Sequence, residues 1–216
     1  MVMNSHVVDT SRSPCALLRP VAVNDVKLED RFWAPRIEKL VANTLPTQYK
    51  LLEETDRINR FRWASGKLSS KPEKSIYIFD DTDAYKWVEA CAFALAQAAN
   101  PEIEKLVDQV VAEIIAAQEE DGYLFTEYHG QKSRRWRNLT LDHELYSAGH
   151  LIQAAIALHR TTGKRALLDA AIKFANLISA VFGPDRLRGV PGHPEVEMAL
   201  VELYRETGDI RYLETA

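Results

Sequence analysis

Residues 158–171 read LHRTTGKRALLDAA, and residues 203–216 read LYRETGDIRYLETA. The two stretches align without a gap, 45 positions apart: Leu158, Arg160, Thr162, Gly163, Leu168 and Ala171 match Leu203, Arg205, Thr207, Gly208, Leu213 and Ala216. A helix that ends in Thr-Gly and restarts at once is a tight helix-hairpin corner, with the glycine in the left-handed conformation. Recurrence near this period marks helix pairs stacked as a solenoid or closed into a toroid. The expected fold is all-α.

The preceding chain fits that pattern. Residues 1–20 read as a flexible N-terminus, and PVAVNDVKL, residues 20–28, alternates enough for a short N-terminal strand. From Asp30 a helix is expected, interrupted or kinked at Pro46, which has no amide proton to donate. RINRFRWASGKLSSKPEKSIYIFDD, residues 57–81, shows no clean helical period and reads as a long connection. TDAYKWVEACAFALAQAA is the next helix, and Asn100-Pro101-Glu102 opens another with a capping side chain, a first-turn proline and an acid near the positive end of the dipole. That helix breaks at Asp121-Gly122, followed by the extended piece YLFTEY. Further helices are expected over LTLDHELYSAGHLIQAAIALHRT, RALLDAAIKFANLISAVF and PEVEMALVELYRE. A last one opens after Gly208 and has run only about two turns by Ala216, without a terminating residue, which favours a chain cut inside a longer repeat array.

Composition narrows the function. A hydrophobic fraction of 46% and a charged fraction of 27% describe an ordinary globular domain. A net charge of −4 argues against a nucleic-acid partner, which calls for a basic surface. The local exception is KSRRWRN, where Lys132, Arg134, Arg135 and Arg137 surround Trp136; a solvated loop is the plain reading and a site for an anionic or sugar ligand the sharper one. Cys15 and Cys91, the only cysteines, make neither a disulfide framework nor a thiolate zinc site, and Cys91 reads as a small core residue. No membrane span and no signal-like apolar block is apparent, so the expected location is cytoplasmic.

The chemistry concentrates in LDHELYSAGH, residues 141–150. A zinc-protease helix requires two histidines four residues apart, but Ser147 stands four after His143, and His150 is a further turn away, about 10 Å along the axis. No metal site is expected. On a helical projection Leu141, Leu145, Ala148, Ile152, Ala155 and Ile156 form the packing stripe, while His143, Tyr146, His150 and Ala157 lie opposite. Imidazoles and a phenol in place of charges suit either a polar pocket or half-buried histidines bonded to carbonyls. In GVPGHPEVEM, Pro194 fits a first turn, so His193 sits just before a helix whose dipole favours its neutral form; a simple helix-start role is equally open. Glu144, Glu195 and Glu197 are tempting as catalytic carboxylates, but Glu144 projects beside the packing stripe and Glu195 suits a first-turn dipole role, so none is assigned catalysis.

Together DTDAYKWVEA (81–90), AAQEEDGYLFT (116–126), the run from Arg135 to Ala171 and the run from Gly189 to Ala216 resemble the N-terminal half of the β-L-arabinofuranosidases of glycoside hydrolase family 127, from about Val21 onward. The resemblance implies that residues 21–216 are the N-terminal portion of an (α/α)6-barrel catalytic domain, about half of the toroid, from an enzyme that hydrolyses terminal β-L-arabinofuranosides with retention. It implies substrate-binding roles for His143 and His193. It also implies a zinc-held cysteine nucleophile and a glutamate acid/base in the family's second half. Neither Cys15 nor Cys91 matches that cysteine motif, so no catalytic residue and no cofactor is expected in this chain. The implied partner is an arabinose-containing glycan, with self-association through the exposed flank of an incomplete barrel. The alternatives are a non-enzymatic helical-repeat binding module and another α/α-barrel carbohydrate enzyme.

Overall fold

The computed structural model describes residues 6–74, 76–183 and 185–216. Its helices are α1 (Ala34–Lys39), α2 (Leu45–Glu54), α3 (Arg57–Ala64), α4 (Asp81–Gln97), α5 (Pro101–Ala116), α6 (Glu144–Thr162), α7 (Ala166–Val181), α8 (Glu195–Thr207) and α9 (Ile210–Thr215). Helix α6 packs against both α4 and α8, and α4 also against α2; behind them α5 packs on α3 and α7, and α7 on α9. Alternate helices therefore fall into two layers, α2-α4-α6-α8 and α3-α5-α7-α9, as stacked hairpins require. The all-α expectation holds.

The two corners that revealed the repeat form as expected. Gly163 and Gly208 cap α6 and α8 at φ 76° and 79°, with their amides donating to His159 O and Tyr204 O. Glycine enters this region without the steric cost of a Cβ. The repeated arginines converge as well: Arg160 donates to Glu202 at 2.6 Å and to Glu206 at 2.7 Å, and Arg205 donates to Glu202 at 2.8 Å. The N-terminal segment reaches the same knot, where Arg160 donates to the carbonyl of His6 and Glu202 accepts from the amide of Asp9. Residues 1–5 lie outside the described residues.

Local sequence explains the helix breaks. Between α1 and α2 the backbone opens into a π turn over Leu40–Thr44, where the Leu45 amide donates to Leu40 O, five residues back. The wide turn precedes Pro46, which cannot supply an amide to the ladder. Asn100 caps α5 by accepting from the Ile103 amide at 3.1 Å, with Pro101 in the first turn.

Three expectations need correction. The N-terminal strand is absent: Val23–Asp25 is a 3-10 turn, and the described residues hold only one isolated bridge, Phe182 with Leu187. Alternation in PVAVNDVKL cannot make a strand without a partner to pair with. The connection from Arg57 contains α3, hidden because Arg60 occupies a buried position of its inner face beside Ile58, Phe61 and Ala64. Helix α6 begins at Glu144 rather than near Leu139, so Leu141 is 64% exposed and outside the packing stripe.

Gly149 sets the distance between α6 and α8. A Cβ there would meet the Glu195 carbonyl carbon at 2.7 Å and the Val196 amide at 2.8 Å, both backbone atoms. Gly149→Ala is expected to lose on the order of 1–2 kcal/mol, overpacking outweighing the helix-propensity gain of about 1 kcal/mol. Urea denaturation checks this; an unchanged midpoint would show that α8 yields freely.

Candidate functional site

The N-terminal ends of α4, α6 and α8 bring one set of aromatic and titratable side chains together. His143 caps α6 in the left-handed region, φ 59°, which histidine enters more readily than most residues though at a cost. Its Nδ1 lies 2.5 Å from Leu141 O. A carbonyl only accepts, so in this contact Nδ1 carries the proton. His193 comes from the loop before α8, with ring centroids 5.1 Å from His143 and 5.0 Å from Tyr146. That loop is pinned by the Gly192 amide donating to Leu139 O at 3.1 Å. A Cβ on Gly192 would run into the Thr140 carbonyl, so this approach needs glycine.

Tyr146 sits at the centre. Its ring is 4.5 Å from His150 and edge-on to Phe79, and its hydroxyl is 2.8 Å from Lys86 Nζ. Phe79 also lies 5.1 Å from His143 and stacks on Tyr77. His143, Tyr146, His150 and His193 therefore share one face, and only Ala157 of the expected polar stripe is absent from it, being buried in the core.

Charge in the cluster is tuned by burial. His150 is pulled down to about 4, by desolvation first and then by Lys86 and His193. Its Nδ1 stands 3.5 Å from Glu195, yet burial and Lys86 outweigh that attraction and the ring stays neutral. Burial raises Glu195, with Lys86 and His193 opposing, and raises Glu89, with Glu195 adding to the effect. Between pH 6.5 and 4 the unfolded chain binds a proton at this histidine that the folded chain refuses. Stability therefore falls as pH drops through that window, by on the order of 3 kcal/mol from this group. His150 ring NMR should titrate near pH 4; a midpoint near 6.5 would contradict the assigned burial.

Glu144, adjacent in sequence, belongs to another construction. It is fully buried, accepting from the Tyr123 hydroxyl at 2.6 Å and the Trp136 amide at 2.8 Å, and burial pushes it up to about 7. It fastens the 123–136 loop to the start of α6. KSRRWRN is partly absorbed here: Arg135 pairs with Glu119 at 2.7 Å and Asp121 at 2.8 Å, and Trp136 packs on Tyr123, Phe174 and Phe182. Lys132, Arg134 and Arg137 are exposed.

Sequence reading missed Phe79, Lys86 and Glu89. Lys86 and Glu89 stand three apart among the buried Tyr85, Trp87 and Val88, a charged stripe on an otherwise packed helix. That spacing marks a shared face but not what the face meets.

The family model described as β-L-arabinofuranosidase, GH127 catalytic domain, matches residues 25–216. The chain belongs to glycoside hydrolase family 127. It is 35% identical to a non-reducing end β-L-arabinofuranosidase of Bifidobacterium longum subsp. longum, over 88% of this chain and 32% of that protein. The crystal structure of a family 127 β-L-arabinofuranosidase from Geobacillus stearothermophilus T6 superimposes with a TM-score of 0.83 at 40% identity, covering 87% of this chain and 31% of its own. A second family 127 β-arabinofuranosidase structure gives a TM-score of 0.83 at 35% identity, over 97% of this chain and 33% of its own. The chain thus spans about a third of the length of each of these relatives.

The zinc that the family resemblance implies does not fit the residues present. Cys91 is buried, its thiol pushed up to about 12 by desolvation, and Cys15 is exposed at the surface. Among the described residues no three His, Cys, Asp or Glu side chains are grouped to hold a metal ion. No described helix is long and apolar enough to cross a membrane.

Proposed function

We propose that this chain forms one side of an α/α barrel and holds the terminal β-L-arabinofuranosyl residue of an arabinose-containing glycan, in the manner of a retaining β-L-arabinofuranosidase. The observation that carries the reading is the convergence of His143, Tyr146 and His193, from two separate elements, with ring centroids 5.0, 5.1 and 5.6 Å apart. Sugar recognition needs donors and acceptors beside an aromatic surface, and neutral imidazoles supply both hydrogen-bonding roles. His143 and His193 are the substrate-binding residues in this reading. Hydrolysis requires a nucleophile and an acid/base that the described residues do not assemble.

Two further expectations belong to this reading. Exposed apolar side chains on the last elements, Val190, Met198, Ile210 and Leu213, favour self-association. Unpaired Cys15 and Cys91 are in keeping with a reducing, cytoplasmic setting.

Titrating methyl β-L-arabinofuranoside into the chain, followed by NMR, tests the proposal. His143→Ala and His193→Ala are each expected to weaken binding about tenfold, the loss of roughly one good hydrogen bond. Unchanged affinity in both folded variants would contradict it.

A further inference from the structure

Lys86 is an exposed residue of α4 whose side chain reaches across to α6, where its Nζ stands 2.8 Å from the Tyr146 hydroxyl. Thr82, one turn back on its own helix, is a weaker partner at 3.4 Å. Asp83, the carboxylate three residues before it, is engaged by Arg57 at 3.2 Å. We infer that Lys86 is a positioning residue for the imidazole face: it fixes the Tyr146 hydroxyl as an acceptor and so turns the phenolic proton outward to the ligand. The inference rests on the function proposed above and extends it to a residue that acts through another.

The chemistry of the donor decides which way the phenol points. An ammonium has three protons and no lone pair, so Lys86 only donates and the Tyr146 oxygen accepts. The phenolic proton therefore points away from Lys86 and is left to donate elsewhere. Without that partner a hydroxyl can exchange its donating and accepting roles. A cationic donor also polarises the O–H bond, and charge-assisted hydrogen bonds form the stronger class. Tyr146 carries the effect into the cluster, its ring centroid 4.5 Å from His150, 5.0 Å from His193 and 5.6 Å from His143.

The same ammonium governs charge around that ring. The titratable groups gathered here are Lys86 and Glu89 from α4, His143, Tyr146 and His150 from the start of α6, and His193 and Glu195 from the start of α8, with Arg57 and Asp83 paired nearby. After burial, Lys86 is the first charge that holds His150 neutral, and it opposes the rise of Glu195. A protonated His150 would set a second cation against the Tyr146 ring. Glu195 is less suited to the positioning role, because its carboxylate stands 3.5 Å from His150 Nδ1, longer than a good hydrogen bond.

A double-substitution cycle tests the inference. Lys86→Met keeps an aliphatic stem and removes the ammonium, and Tyr146→Phe removes the hydroxyl alone. Methyl β-L-arabinofuranoside is titrated by NMR near neutral pH into the unaltered chain, each single variant and the double variant. Lys86 is exposed, so folding should survive its replacement, and circular dichroism checks all variants. Lys86→Met is expected to weaken binding about fivefold, the worth of one hydrogen bond. Tyr146→Phe should cost at least as much, and the double variant no more than Tyr146→Phe, because the lysine acts through that hydroxyl. The His150 ring titration gives a readout that a merely structural role would not move: its midpoint should rise from about 4 in Lys86→Met. Additive losses in the double variant, unchanged affinity in Lys86→Met, or an unmoved His150 midpoint would each overturn the positioning role alone. Failure of the sugar to bind the unaltered chain would overturn the proposed function and this inference with it.

Discussion

The 216-residue chain is expected to release no sugar from a chromogenic β-L-arabinofuranoside, with or without added zinc, whatever its affinity for that sugar. Glycosidase catalysis spans many orders of magnitude, so the expected effect is a fall to the uncatalysed rate. Retention requires two groups flanking the scissile bond, one to attack and one to exchange a proton. Of the carboxylates near the imidazole cluster, Glu144 is fully buried and committed to Tyr123 and Trp136. Glu195 lies against His150 with Lys86 influencing both, and Glu89 is raised by burial and by Glu195 itself. Cys91 is held as a neutral thiol in the core, where it can neither attack nor bind a metal. Following nitrophenol release at micromolar protein settles the point: a zinc-dependent rate above background would show that these residues do assemble a nucleophile.

The largest stability effect should come from Arg60, far from any sugar. Its side chain is 1% exposed and lies among Asp80, Asp81 and Glu127, with Asp81 fully buried. It donates to the Thr126 hydroxyl at 2.6 Å, while Asp81 accepts from the Thr126 amide at 2.7 Å, so one knot ties α3, α4 and the 123–128 segment. Burial raises Asp81 and the Arg60 charge opposes that rise. Arg60→Leu keeps an apolar side chain in place but leaves the buried Asp81 without its counter-charge, while Asp80 keeps Arg57 and Glu127 keeps Lys71. The expected loss is about 3–5 kcal/mol, measured by urea denaturation near neutral pH. A loss under 1 kcal/mol would mean that water replaces the guanidinium and that the knot is not sealed.

What the sequence revealed and concealed follows from the range of each signal. Thr-Gly corners, Asn100 capping and the Pro46 break are local chemistry, read from a few adjacent residues. They appear in the structure at Gly163, Gly208, Asn100 and the π turn before Pro46. Helix α3 stayed hidden because its buried arginine looks polar in sequence, and its partners at 80, 81, 126 and 127 are known only after folding. His143 shows both sides of this limit. Its company with Tyr146 and His150 follows from spacing, whereas its left-handed backbone and its contact with His193, fifty residues on, depend on tertiary packing. The same holds for Lys86, whose role appears only when α4 lies beside α6 and Tyr146.

The central claim is that the imidazole face holds a sugar. A crystal structure of this chain soaked with methyl β-L-arabinofuranoside tests it most directly. The expected result is one sugar at the start of α6 and α8, with hydroxyl groups about 2.6–3.2 Å from ring nitrogens of both His143 and His193. A sugar bound elsewhere, or an empty cluster at saturating ligand, would contradict the account.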